Sequence, residues 1–229
     1  PHLRVIKLDN RGAGRSSAPD RPYTIRQMAD DTVALMEHMG VAKANILGFS
    51  MGGYIAQELA LAHPGKVEKL ILLGTAPDID GYGRAVVNAW VSARRSNLSR
   101  EAIARLTAAW LYSPELLNDE ARYEGAIANT LANPYAQQDH AFLRQARAVL
   151  SWEGTGERLN SIKAPTLVLC GKDDNLVPPR NSERLAGLIP GAELRILAGG
   201  HVGAIENPAE YNSAILGFLG AKTAAGAPA

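Results

Sequence analysis

The spacing of apolar positions changes along the chain and indicates which segments form strands and which form helices. The short run ANILGF at 44–49 is apolar on both faces, a pattern typical of a strand buried in a parallel sheet. The run that begins at Ile25 repeats its apolar residues every three or four positions, which predicts an amphipathic helix. Thr24 is a suitable N-cap for this helix, and Gly40 a suitable stop.

Strands and helices alternate through most of the chain. Strands are predicted at 3–9, 44–49, 67–76, 164–171 and 192–200. Helices are predicted to follow them at 24–39, 51–63, 181–188 and 208–219. Such alternation predicts an α/β fold with a mostly parallel sheet and helices on both faces.

Residues 77–160 interrupt this alternation, because only helical patterns occur there. Amphipathic segments are predicted at 83–95, 99–112, 114–133 and 135–152. We therefore expect a core formed by 1–76 and 161–222, with 77–160 as a helical insertion. The small-residue stretch 223–229 is expected to be a disordered tail.

Composition excludes several classes of function. Apolar residues make up 46% and charged residues 21% of the 229 positions, and the formal net charge is +1, as in ordinary globular proteins. Basic runs suited to nucleic acid or anionic membranes are absent from the sequence, as are apolar runs of the ~20 residues that span a bilayer. No metal or other cofactor is predicted, because His, Cys and carboxylates do not cluster at metal-ligand spacing. The presence of a single cysteine, Cys170, favours a reducing, cytoplasmic location. Because Cys170 ends an apolar run, we expect it to be a buried packing residue.

The sequence GFSMG places Ser50 at G-x-S-x-G spacing, between a predicted strand and a predicted helix. In a nucleophile elbow this turn is sharp and presents the serine Oγ above the sheet. Gly48 and Gly52 are expected to remove side chains that would collide across the turn, and Gly53 is expected to add room. The Met51 backbone N–H, at the helix start, is suited to an oxyanion hole. The simpler alternative is a glycine-rich packing turn.

A serine nucleophile needs a base and an acid that orients it. Among the histidines, His201 is the best candidate, because it lies between glycines just after the last predicted strand. Asp173 and Asp174 end the preceding strand, and one of them would orient His201 while the other stabilises the turn. From the residues alone this choice stays open. The chain order of serine, aspartate and histidine is that of α/β-hydrolases.

Four longer segments extend this agreement. They are DNRGAGRS, ILGFSMGGYIAQELALAHPGKVEKLILLGTAP, IKAPTLVLCGKDDNLVPP and LAGGHVGAIENPAEYNSAILGFL. Together they resemble the α/β-hydrolases, within them the small esterase and lactonase branch that includes 3-oxoadipate enol-lactonases. The resemblance implies an α/β-hydrolase fold in which the helical insertion is a cap over the active site.

The resemblance also implies residue roles and a reaction. The family acid is the fourth residue of a G-x-x-D-x-x-x-P segment, which is Gly171–Pro178 here and identifies Asp174. With Ser50 as nucleophile and His201 as base, the implied activity is hydrolysis of a small-molecule ester or lactone through an acyl-enzyme. Related reactions on this fold include C–C bond hydrolysis, aminopeptidase and perhydrolase activity. A non-catalytic ligand-binding module is a further alternative.

Three residues are candidates for the lining of the substrate pocket. Trp152, near the return from the insertion to the core, is expected to face the substrate. Val177 and Val202 follow the candidate acid and base closely in sequence, and we expect them to line the same pocket.

One part of the family pattern has no counterpart in the sequence. In the family, three strands precede the one equivalent to 3–9, and the loop after the third carries a His-Gly motif that supplies a second oxyanion donor. We therefore expect this sequence to be a piece of a longer polypeptide, or its sheet to be completed by another chain. A triad without that donor would be weakly active, because one oxyanion donor contributes about 100- to 1,000-fold.

Overall fold

A computed structural model describes residues 3–220. Four parallel strands form its sheet: β1 (Ala44–Phe49), β2 (Val67–Leu73), β3 (Thr166–Gly171) and β4 (Glu193–Leu197). Their order across the sheet is the same as their order along the chain. All residues of β3 are buried, in agreement with the apolar run Leu167–Cys170 at its centre.

Helices cover both faces of this sheet. Beyond the helical insertion, these helices are α1 (Ile25–His38), α2 (Met51–Ala62), α8 (Pro179–Leu188), α9 (Gly203–Glu206) and α10 (Pro208–Leu219). One face packs on side chains of α1, α2 and α8, among them Met28, Leu59 and Leu185. The other face packs on α10 through Tyr211 and Ala214. The predicted fold class, a parallel sheet with helices on both faces, is confirmed.

The segment between β2 and β3 is helical. It contains α3 (Gly81–Arg95), α4 (Arg100–Leu111), α5 (Pro114–Asn118), α6 (Glu120–Ala132) and α7 (Asp139–Leu150). The prediction of one helix over 114–133 is wrong, because the chain breaks at Asp119. The Asp119 side chain accepts from the Arg122 N–H at 3.1 Å and begins α6 as its N-cap. The boundaries of the insertion at 77 and 160 stay a prediction.

The strand predicted at 3–9 does not form, although this segment lies next to the sheet. A strand requires a neighbour that exchanges backbone hydrogen bonds, and the pairing of β1 within residues 3–220 is with β2. Residues 3–8 instead line a groove of about 820 Å³, whose far side includes Ile46 and Leu47 of β1. The prediction of a strand at 3–9 is therefore wrong for the described structure, in which this segment pairs with no strand.

Two other sequence expectations concern the tail of the chain and membrane-spanning segments. The tail predicted at 223–229 lies outside the described residues. Within 3–220, no helix is both long enough and apolar enough to cross a membrane.

Candidate active site

Ser50 occupies a strained turn between β1 and α2. Its φ of 53° and ψ of −121° make it the one non-glycine residue in the described chain with a positive φ. Backbone hydrogen bonds hold it there, because its N–H donates to the Leu73 carbonyl at 2.9 Å and its carbonyl accepts from Gly53 at 2.8 Å. Strain of this kind costs about 1–3 kcal/mol and persists where surrounding contacts impose it.

The turn needs Gly48 and Gly53, which are two of the three glycines that the sequence suggested. A Cβ on Gly48 would lie 2.2 Å from the Gly52 carbonyl oxygen, and one on Gly53 would lie 2.5 Å from the Thr75 side chain. A Cβ on Gly52 would meet no atom within 4 Å. The expectation that Gly52 removes a colliding side chain is therefore wrong, because the crowded group is its backbone carbonyl.

His201 connects the two other candidate residues. Its Nε2 lies 3.0 Å from Ser50 Oγ, and its Nδ1 lies 2.9 Å from Asp174 Oδ2. His201 is 3% exposed, and its imidazole packs against the Phe49 ring, with centroids 4.9 Å apart. In the tautomer with the proton on Nδ1, the ring donates to Asp174 and presents Nε2 as an acceptor to the Ser50 hydroxyl.

Asp174, rather than Asp173, faces the imidazole. Its carboxylate is fully buried, and Oδ1 accepts from the backbone N–H groups of Leu176 at 2.9 Å and Val177 at 2.7 Å. These bonds satisfy the buried carboxylate and fix the direction in which Oδ2 points. The Asp173 side chain is about one-third exposed and lies 4.0 Å from the Lys172 ammonium.

The loop that carries His201 crosses the carboxyl ends of two strands. Because β4 and β1 lie at opposite ends of the sheet order, the loop must pass β3 and β2 to reach Ser50. At β3, a Cβ on Gly171 would lie 2.3 Å from the carbonyl oxygens of both Gly199 and Gly200. Past β2, a Cβ on Gly74 would lie 3.4 Å from the His201 ring. Glycines at these strand ends give the loop room to cross.

Met51, the candidate oxyanion donor, begins α2 directly after Ser50. The first N–H groups of a helix have no acceptor within that helix, and the helix dipole places partial positive charge at this end. The position of Met51 therefore suits the stabilisation of a negative oxygen next to Ser50.

The candidate pocket residues have different surroundings. Val177 is buried beside Asp174, and the half-buried Val202 donates its backbone N–H to the Leu111 carbonyl at 3.0 Å. Trp152 belongs to the main apolar core, with its ring 4.4 Å from that of Tyr54. Its indole N–H donates to Glu58 at 2.9 Å, so its described contacts are those of a packing residue. The roles of Val177 and Val202 in substrate binding stay predictions.

Two further residues meet at the candidate site without a sequence signal. Glu206 follows His201 by five positions, at the end of α9, and contacts Ser113 of the insertion. The two residues are 93 positions apart and no motif links them, so the sequence alone could not predict this contact.

Other reactive groups do not assemble into a second centre in the described part of the chain. Cys170 is buried as expected, and burial raises the pKa of its thiol. Residues 3–220 contain no group of three or more His, Cys, Asp or Glu side chains suited to a metal ion.

Comparison with known proteins agrees with this geometry. The model of the alpha/beta hydrolase fold matches residues 1–208. A protein of Caulobacter sp. (strain K31), assigned as the carbamate hydrolase RutD, is 32% identical over 97% of this chain and 82% of its own length. A 3-oxoadipate enol-lactonase of Acinetobacter baylyi is 30% identical over 92% of this chain and 76% of its own.

Solved structures give the same result. The crystal structure of a hydrolase from Pseudomonas aeruginosa PA01 is similar with a TM-score of 0.84 and 31% identity, covering 96% of this chain and 81% of that one. Together with the family model and the relatives, this similarity shows that the chain is an enzyme of the α/β-hydrolase family.

Proposed function

We propose that the chain hydrolyses a small carboxylic ester or lactone through an acyl-enzyme formed on Ser50. The observation that carries this proposal is the continuous hydrogen-bonded chain from Ser50 through His201 to Asp174, with distances of 3.0 and 2.9 Å. A serine hydroxyl is a weak nucleophile until an adjacent base takes its proton.

The proposed reaction has two halves. His201 Nε2 takes the Ser50 proton as Oγ attacks the substrate carbonyl, and the Met51 N–H stabilises the oxyanion. The imidazolium then gives this proton to the leaving alcohol, or to the ring oxygen of a lactone, as the acyl–oxygen bond breaks. Water, deprotonated by His201, attacks the acyl-enzyme and releases the acid with Ser50 restored. Asp174 orients His201 and stabilises the imidazolium throughout.

Carbamate hydrolysis is a second candidate, favoured by the relative assigned to that activity. An ester, a lactone and a carbamate each present a carbonyl carbon bonded to a leaving heteroatom, so the same attack by Ser50 applies to all three. The choice depends on the cap side chains over the site. A screen of nitrophenyl esters of increasing acyl length, simple lactones and aryl carbamates separates these substrate classes.

Labelling with a fluorophosphonate probe tests the proposal directly, because the probe reacts with activated serines. We expect labelling of the wild-type chain and of the control S151A, which alters an exposed serine. We expect no labelling of S50A, together with loss of turnover. General-base assistance alone raises the rate by about 100- to 10,000-fold. Unchanged turnover in S50A would contradict the mechanism. A wild-type chain that binds esters without labelling or turnover would favour the non-catalytic alternative.

A further inference from the structure

The carboxylate of Glu206 joins the loop that carries His201 to the helical insertion. Its Oε1 accepts from the backbone N–H of Gly200 at 2.9 Å and from that of Ser113 at 3.2 Å. Its Oε2 accepts a short hydrogen bond from the Ser113 hydroxyl. Ser113 is itself buried and is the N-cap of α5, where its Oγ accepts from the Leu116 N–H at 3.3 Å.

The two segments are in direct backbone contact at the same place. A Cβ on Gly200 would lie 2.6 Å from the Ser113 nitrogen, and the Val202 N–H donates to the Leu111 carbonyl at 3.0 Å. The residues on either side of His201 are therefore both attached to 111–113. Of the groups that make these attachments, Glu206 provides the one charged side chain.

From this arrangement we propose that Glu206 is a positioning residue, which fixes the backbone of His201 against the edge of the cap. The inference rests on the proposed function, in which His201 is the base. Asp174 holds the imidazole at Nδ1, but that bond leaves the ring free to shift with its backbone. A displacement of about 1 Å at a reacting group lowers rates by about 100-fold.

The chemistry of the contact predicts how substitutions differ. All the hydrogen-bond partners of the carboxylate are donors, and no described ion pair includes Glu206. Glu206→Ala leaves the Gly200 and Ser113 donors without their acceptor. Glu206→Gln keeps one oxygen for the backbone N–H groups, and its amide can donate to Ser113 Oγ. Glutamine is thus the conservative replacement, and alanine is the disruptive one.

Glu210 supplies a matched control. Its carboxylate also accepts from a backbone N–H of the same loop, that of Ala198 at 3.3 Å, but it is exposed and contacts neither Gly200 nor Ser113 in the hydrogen bonds of the described residues. Glu210→Ala therefore removes a carboxylate from this region and leaves the attachment between loop and cap intact.

The test compares E206A, E206Q, S113A and E210A in fluorophosphonate labelling, ester hydrolysis, urea unfolding and proton NMR. We expect E206A to lower the labelling rate and kcat by about 10- to 100-fold, on the scale of a displaced reacting group. We expect most of this loss to be restored in E206Q, a smaller loss in S113A and none in E210A. The downfield resonance of the His201 Nδ1 proton should shift or broaden in E206A but not in E210A.

Several outcomes would overturn the proposal. A folded E206A that is less stable to urea, but labels at the wild-type rate with an unchanged His201 resonance, would make Glu206 merely structural. Equal losses in E206Q and E206A would contradict the hydrogen-bond account. If neither E206A nor E206Q folds, the labelling rate of S113A provides the test, and a wild-type rate in S113A would overturn the proposal. Failure of the wild-type chain to label would count against the proposed function instead, whereas the NMR resonance would still report the position of His201.

Discussion

His201 Nε2 and Ser50 Oγ lie 3.0 Å apart, although the two residues are separated by 151 positions and follow strands at opposite ends of the sheet order. Their approach depends on where the strands end. Parallel strands bring their carboxyl ends to one edge, and loops that cross this edge can gather side chains from several strands. The glycines at the ends of β2 and β3 let the His201 loop lie low enough over the sheet to reach Ser50.

Gly171→Ala should therefore disrupt the candidate site from beneath. The new Cβ would lie 2.3 Å from the Gly199 and Gly200 carbonyl oxygens, so the loop must rise and carry His201 away from Ser50. We expect a loss of fluorophosphonate labelling of about 100-fold, on the scale of a 1 Å displacement. Gly187→Ala, in a helix with open space around the new Cβ, is the control and should label normally. Normal labelling by G171A would show that the loop accommodates the extra atom.

The two glycines that flank Ser50 should respond differently to alanine. Gly48→Ala brings a Cβ to 2.2 Å from the Gly52 carbonyl oxygen and 2.8 Å from the Ala56 Cβ, so the crossing of β1 and α2 must open. We expect a loss of about 1–3 kcal/mol in the free energy of unfolding, as for other overpacked sites, measured in urea. Gly52→Ala should be neutral or slightly stabilising, because its Cβ points into open space and alanine favours a helix. Equal destabilisation by the two substitutions would refute this account.

The strain at Ser50 gives a prediction about stability that is separate from activity. Ser50→Gly and Ser50→Ala both remove the hydroxyl, but only glycine adopts a φ of 53° and ψ of −121° without strain. Relief of about 1–3 kcal/mol of strain outweighs the roughly 0.5–1 kcal/mol by which glycine favours the unfolded chain. S50G should therefore unfold at a higher urea concentration than S50A, while both fail to label. An S50A variant more stable than S50G would mean that the turn is not strained.

Adjacent aspartates provide a sharp test of the proposed acid. Asp174→Asn replaces the acceptor of the His201 Nδ1 proton and favours the wrong tautomer, an effect of about 10,000-fold on kcat in serine hydrolases. Asp173→Asn, at a partly exposed side chain, should stay within about threefold of wild type, since surface pairs of this kind contribute little. Steady-state ester hydrolysis by the two variants, measured under the same conditions, completes the test. Comparable losses in the two variants would contradict the assignment.

Sequence patterns predicted the strand ends that carry Ser50, Asp174 and His201, because each residue follows soon after an apolar run. They could not choose Asp174 over Asp173 without the family pattern, because the choice depends on how the turn at 174–177 folds back on the carboxylate. The crossing at Gly171 and the contact of Glu206 with Ser113 were also beyond the sequence, since each joins segments that share no local pattern. The strand predicted at 3–9 does not form for a related reason, because an apolar run does not reveal whether another strand lies beside it to pair with.

The sequence predicts that Trp152 faces the substrate, whereas its contacts in the structure are those of a packing residue. The variant Trp152→Phe separates these two interpretations. Phenylalanine keeps an aromatic ring against Tyr54 but removes the indole N–H that donates to Glu58 at 2.9 Å. Glu58 is buried, and its remaining side-chain partner is Arg158, at 2.7 Å. Loss of one donor to a buried charged group predicts a decrease of about 1–3 kcal/mol in the free energy of unfolding, with KM for small esters unchanged.

The matched change is Val202→Ala, at a residue beside His201 that is half-buried and outside the main core. We expect V202A to change KM more than the free energy of unfolding, if Val202 contacts the substrate as predicted. Urea unfolding and steady-state ester hydrolysis on the same preparations measure both quantities. A Trp152→Phe variant with wild-type stability and a raised KM would return Trp152 to the substrate pocket, because its indole would then act on the ester rather than on Glu58.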